Sequence, residues 1–148
     1  MGAAHRTPSR EKRILVVEDD PDFACLISII LRDAGYSVKT AGDAEEAFAE
    51  ISHRIPDLIT LDLHMPRKSG AHFYIEMKSD PKYRDVPVIV ISGLRESREA
   101  DAVIQSFLSA QGRPAPKAYF DKPFDRHELV RVVMRSLRRT SDASLSRA

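Results

Sequence analysis

Asp62 closes the apolar run Leu58-Ile59-Thr60-Leu61 and is followed by Leu63-His64-Met65-Pro66. A short apolar run that ends in a carboxylate and then a Pro/Gly-containing loop places an acid at the C-terminal mouth of a buried strand, where open α/β sheets keep their ligands. A carboxylate in that place can act as a nucleophile; the plain alternative is a helix cap or a turn residue. A second strand-like run, Arg13-Ile14-Leu15-Val16-Val17, ends in Glu18-Asp19-Asp20. Two strand mouths therefore carry acids.

The elements that must position these acids alternate along the chain. Asp20-Pro21 reads as a cap followed by Pro at the first helical position, and Phe23, Leu26, Ile27, Ile30, Leu31 and Ala34 recur at helical spacing until Gly35. Tyr36 to Ala41 alternates as a short strand, and Asp43 with Glu46 starts a helix like a capping box, carrying Ala47, Phe48 and Ile51 and stopped by Pro56. After the Asp62 strand, a helix is expected around His72 to Lys78, then an apolar central strand from Val86 to Ser92 with Pro87 near its entry. Arg98 to Ala110 reads as helix, Gly112 to Pro116 as loop and Ala118-Tyr119-Phe120 as a fifth strand. The last helix starts at Asp125 with Glu128 behind it, buries Leu129, Val132, Val133 and Leu137, and turns Arg131, Arg135 and Arg138 to solvent. Five strand-helix pairs imply an α/β, doubly wound, five-stranded parallel sheet with helices on both faces.

The 148 residues suffice for one domain with a two-sided core, expected over residues 11–138 between mobile tails at 1–10 and 139–148. A net charge of +1 gives no general electrostatic drive toward nucleic acid or membrane. The one cysteine, Cys25, excludes an internal disulfide and a multi-thiolate metal site, and its apolar setting predicts a small packed hydrophobe. The N-terminus lacks the apolar segment of a signal peptide, and no apolar stretch is long enough to span a bilayer. A cytoplasmic chain is the simplest reading.

Four segments at strand ends, EDD at 18–20, LDLHMPRKSG at 61–70, VIVISG at 88–93 and YFDKPF at 119–124, resemble the receiver domain of two-component response regulators, the CheY-like family. The resemblance runs from about Arg13 to Leu137. It implies the strand order 2-1-3-4-5. It also implies a phosphoacceptor Asp62 that takes a phosphoryl group from a histidine kinase or phosphotransfer protein, in a domain that catalyses only its own phosphorylation and dephosphorylation. Converging carboxylates repel one another and need a cation, and hard oxygen ligands suit Mg²⁺. Asp19 and Asp62 are the expected direct ligands; by the family pattern the backbone carbonyl of His64 is a third contact and Glu18 acts through a water.

Lys122, after an apolar strand and before Pro123-Phe124, can carry its ammonium into the cleft to pair with Asp62 and then with a phosphoryl oxygen, against the plain reading of a solvated lysine. By resemblance the Lys122-Pro123 bond is cis. Ser92 stands where the family commonly has Thr, and its hydroxyl can still donate to a phosphoryl oxygen. Tyr119 matches the aromatic that swings inward when that hydroxyl moves. His5, His53, His64, His72 and His127 show no zinc-site spacing, and the Arg stripe of the last helix is poor evidence for DNA binding. Between Ser92 and Lys122 the chain exceeds the family pattern by about two helical turns, around Ser106 to Lys117 on the expected output face.

Three function classes follow. The first is a phosphoacceptor switch, monomer or weak dimer, whose partners are the phosphodonor and an unknown downstream target protein. The second is a pseudo-receiver, a constitutive binding module, which loss of an acid, the hydroxyl or the lysine would favour; none is lost. The third is an enzyme or cofactor protein on a similar sheet. A flavodoxin-type site fails because Glu18-Asp19-Asp20 would repel an anionic cofactor, and a dehalogenase-like phosphatase would carry a second acid where this chain has His64.

Overall fold

The structure, a computed structural model, describes residues 11–65, 69–93, 102 and 115–146, with side chains as far as Arg138. Strands β1 (Arg13–Val17), β2 (Ser37–Ala41), β3 (Leu58–Leu61), β4 (Val88–Ser92) and β5 (Ala118–Asp121) form one parallel sheet in the order β2-β1-β3-β4-β5. Helices α1 (Pro21–Asp33), α2 (Ala44–His53), α3 (Gly70–Ser79) and α4 (Arg126–Ser146) cover it. The expected helix between Arg98 and Ala110, apart from Ala102, and the loop residues Gly112 to Pro114 lie outside the described residues, as do residues 1–10.

Alternation along the strands divides the core in two. Leu15, Val17, Ile59, Leu61, Val88 and Val90 pack with Ala47, Ile51, Phe73 and Met77 of α2 and α3. Their neighbours Ile14, Val16, Leu58, Ile89 and Ile91 point the other way and pack with Ile27 and Leu31 of α1 and Leu129, Val133 and Leu137 of α4. Successive side chains of a strand face opposite sides of a sheet, so an unbroken apolar run is what a strand buried on both faces requires. The chain leaves β1 toward β2 on one side and returns to β3 on the other. The mouth between β1 and β3 is therefore the switch point, where both acid-bearing ends meet.

Local chemistry sets the helix ends. Asp20 caps α1, its side chain accepting from the Asp22 and Phe23 amides at 2.9 and 3.4 Å, with Pro21 at the first helical position. Gly35, at φ +99°, takes the left-handed turn that ends α1. Asp43 caps α2 by accepting from the Glu46 amide at 2.8 Å, but Glu46 reaches back to the amide of Gly42, one residue before the cap. α3 begins at Gly70, earlier than the expected His72, because Ser69 accepts from the His72 amide at 3.3 Å. β4 begins at Val88, leaving buried Val86 and Pro87 before it, and the Pro87 carbonyl still accepts from Ile59. α4 continues to Ser146, past the 138–139 boundary expected from its apolar pattern.

Two expectations for α1 are corrected. Leu26, 47% exposed, is outside the core, and Cys25 is exposed. Ala24, Ile27, Ser28 and Leu31 define the inward stripe, and positions 25, 26 and 29 turn away from it; helical spacing alone admitted Leu26 because Ile27 and Ile30 are apolar beside it.

Candidate functional site

Each predicted site residue except Tyr119 lies at the C-terminal edge of β1, β3, β4 or β5. Asp62, directly after β3, is 4% exposed, and its Oδ1 accepts the Ser92 hydroxyl at 3.0 Å and the His64 amide at 3.1 Å. Lys122, directly after β5, places Nζ 3.5 Å from Asp62 Oδ2 and in close contact with Glu18 Oε1. The ladder fixes this meeting, since Ser92 pairs with Asp121 and the Lys122 amide donates to the Ser92 carbonyl at 3.0 Å. The Lys122-Pro123 bond is cis, as the resemblance implied. Glu18 is buried, whereas Asp19 and the His64 side chain are exposed. Tyr119 stands on β5 and is 40% exposed.

Burial pushes the Glu18 carboxyl up to about 8, and Asp62 adds to the rise while Lys122 opposes it. Burial also pulls Asp62 upward, but Glu18, the His64 amide, the Lys122 charge and Ser92 outweigh it and hold Asp62 below its usual value. For Lys122, burial acts downward and is overcome by Glu18 and Asp62, so the ammonium is kept charged beyond its ordinary range. The close contact of Lys122 with Glu18 favours an ionised Glu18, and burial beside a second carboxylate acts against it. The shifts run in opposite directions, Glu18 toward its neutral form and Asp62 toward its charged form, with the Lys122 ammonium facing both.

Carboxylate oxygens of Glu18, Asp19 and Asp62 lie within 4.8 Å of one another. Glu18 Oε2 is buried without a hydrogen-bond partner. An orphaned buried oxygen in an all-carboxylate set fits a hard divalent cation, which would satisfy that oxygen and relieve the crowded charge. Beside this cluster, an ionised carboxylate with a hydroxyl on one oxygen and an ammonium off the other is arranged to receive an anionic electrophile, whose charge the hydroxyl and ammonium would take up.

The model of the response regulator receiver domain matches residues 14–134. The chain belongs to that family. Among relatives, the DNA-binding dual master transcriptional regulator RpaA of Synechocystis is 36% identical over 86% of this chain and 50% of its own length. Protein Rrf1 of Nitratidesulfovibrio vulgaris is 32% identical over 84% of this chain and 82% of its own. The crystal structure of the receiver domain of NtrX from Brucella abortus superposes with a TM-score of 0.72 at 31% identity, covering 84% of this chain and 98% of that one. The chain spans half or less of the length of RpaA and of the nitrogen assimilation regulator NtrX of Azorhizobium caulinodans.

Within this receiver the sequence reading missed two contacts. A Cβ on Gly70 would overlap the Asp62 carbonyl oxygen and approach the Leu63 Cα to 2.7 Å, so only glycine lets α3 begin against the backbone that carries Asp62. The ring of Phe23 lies 4.4 Å from Lys122 Nζ. The sequence names both residues, one as a loop glycine and the other as part of a helical apolar pattern; neither pattern reports a neighbour from another strand end. Among the described residues no helix is long and apolar enough to cross a membrane.

Proposed function

We propose that this receiver is a phosphoacceptor switch of a two-component phosphorelay, with Asp62 as the acceptor. The observation that carries the reading is the buried Asp62 carboxylate with Ser92 on Oδ1 at 3.0 Å and Lys122 off Oδ2 at 3.5 Å. A carboxylate oxygen of Asp62 attacks the phosphorus of phosphohistidine on a histidine kinase or phosphotransfer protein. The new O–P bond forms as the N–P bond breaks, and the departing imidazole keeps the electron pair and takes a proton from solvent. Lys122 and Ser92 each engage an oxygen of the transferred group. Asp19 and Asp62 would hold Mg²⁺ directly, with Glu18 through a water and the His64 carbonyl as a further ligand; when bound, the ion neutralises charge on the transferring phosphoryl.

The switch then acts through Tyr119 and the face that β5 shares with the helices beside it, changing affinity for a downstream protein in the cytoplasm; binding to nucleic acid or membrane is not part of the reading. Residues 11–138 form the functional unit, as a monomer or weak dimer. Incubation with acetyl phosphate, with and without Mg²⁺, followed by intact mass and peptide mapping, tests the assignment. One phosphoryl group on Asp62, dependent on Mg²⁺ and absent in Asp62→Asn, is expected, because the amide cannot form the acyl phosphate. Labelling of Asp62→Asn at Asp19 or Asp20 overturns the acceptor, and no labelling of wild type favours the pseudo-receiver.

A further inference from the structure

Lys122 meets a third neighbour besides its two carboxylates. The centroid of the Phe23 ring lies 4.4 Å from Nζ, well inside the range at which an aromatic face attracts an ammonium. Phe23 is in the first turn of α1, where the Asp20 cap and Pro21 fix the backbone, and it is only half-buried. It is not part of the buried core cluster that Ile27 and Leu31 of the same helix join. Its ring therefore packs at the cleft and not under the sheet.

We propose that Phe23 is a positioning residue that holds the Lys122 ammonium in the cleft through its aromatic face, a role whose kinetic consequence rests on the phosphoacceptor reading above. Lys122 hangs from the end of an edge strand and its side chain keeps 18% exposure, so its long stem has water as an alternative. Glu18 Oε1 and Asp62 Oδ2 draw the ammonium through direct contacts. The electron-rich face of Phe23 offers a further favourable surface, which an aliphatic side chain of similar bulk would not. An ammonium already set beside Asp62 Oδ2 is oriented before the phosphodonor arrives, and preorganisation of this kind lowers the barrier to transfer.

Phe23→Leu keeps an apolar side chain and removes the ring; Phe23→Tyr keeps the ring. Two readouts on the full chain separate the possibilities. The first is the proton shift of the Lys122 ε-methylene, assigned against Lys122→Arg. Ring current should displace it upfield in wild type and Phe23→Tyr and return it to the ordinary lysine position in Phe23→Leu. The second is the initial rate of Mg²⁺-dependent labelling by acetyl phosphate, expected to fall about three- to tenfold in Phe23→Leu and to stay at the wild-type rate in Phe23→Tyr. Urea unfolding checks that the variants are folded; if Phe23→Leu is not, the wild-type shift and the Phe23→Tyr rate decide. A Phe23→Leu protein that labels as fast as wild type, a Phe23→Tyr protein with a markedly reduced rate, or an undisplaced methylene in wild type overturns the proposal. If wild type accepts no phosphoryl group, the phosphoacceptor reading falls, and the methylene shift still decides whether Phe23 holds Lys122.

Discussion

Ser92 and Lys122 touch opposite oxygens of Asp62, and their loss should separate accepting a phosphoryl group from responding to it. Ser92→Ala removes the hydroxyl that would donate to an oxygen of the incoming phosphoryl group; a hydrogen bond to a charged acceptor is worth about 1.5–3 kcal/mol, and where it is gained only in the transition state its loss corresponds to a rate loss of roughly 10- to 150-fold. The fold should tolerate the change, because the His64 amide still donates to Asp62 Oδ1. Lys122→Ala should likewise label slowly. In both variants the groups that would read the phosphoryl are gone, so beryllofluoride should leave the amide resonances around Tyr119 near their resting positions. Wild-type-like shifts in either variant would disprove the coupling. At this scale the sequence was informative because acids, a hydroxyl and a lysine each follow an apolar run. It was silent on Phe23, whose role depends on the distance between a helix start and a strand end far away in the chain.

Helix α3 illustrates what periodicity leaves out of an element. Its start is set by Ser69 and by the close seat of Gly70 on the Asp62–Leu63 backbone, neither of which belongs to an apolar repeat. Gly70→Ala should destabilise the domain by about 1–3 kcal/mol in urea unfolding, the usual range for overpacking, and slow labelling by shifting Asp62. Unchanged stability and labelling would mean that the loop yields freely. At the other end of α3, Lys78 is 4% exposed and donates to the carbonyls of Arg84 at 2.8 Å and Val86 at 2.6 Å, tying the approach to β4, with Nζ 5.6 Å from the Tyr74 ring centroid. Burial pushes its ammonium down to about 8, with Lys117 adding to the fall and Asp85 opposing it. Between about pH 8 and the ordinary lysine value the unfolded chain then binds more protons than the folded one, so stability contributed by this group rises with pH across that window. Compared with Lys78→Met, wild type should gain up to about 3 kcal/mol from pH 8 to 10.5. A difference in unfolding free energy that is flat or falling with pH would contradict this.

The whole molecule joins these parts through the sheet. The alternation of strand and helix made the doubly wound class legible, since apolar runs of strand length separated by amphipathic segments admit few other packings. The order of the strands was not in that pattern: pairing of β1 with both β2 and β3 depends on contacts between distant segments, and it entered through resemblance to a family. The outward turn of Leu26 and Ile29, 47% and 50% exposed, was equally out of reach, because it depends on how α1 is rotated against the sheet. The same sheet gives a direction to the signal. Ser92 ends β4 and pairs with Asp121, Val90 pairs with Tyr119, and the Lys122 amide is bonded to the Ser92 carbonyl at 3.0 Å. On the phosphoacceptor proposal, a displacement of Ser92 toward a phosphoryl on Asp62 would pull on β5 through this ladder. On the other side, β2 meets the sheet only through β1, with two strands between it and Ser92. Beryllofluoride with Mg²⁺ should consequently move amide resonances strongly along β4 and β5 and weakly along β2 and α2, and the exposure of Tyr119, 40% at rest, should fall as measured by photochemical labelling of its ring. Equal shifts in β2 and β5, or a Tyr119 that labels as readily with the phosphoryl mimic as without it, would show that the signal does not leave through β5.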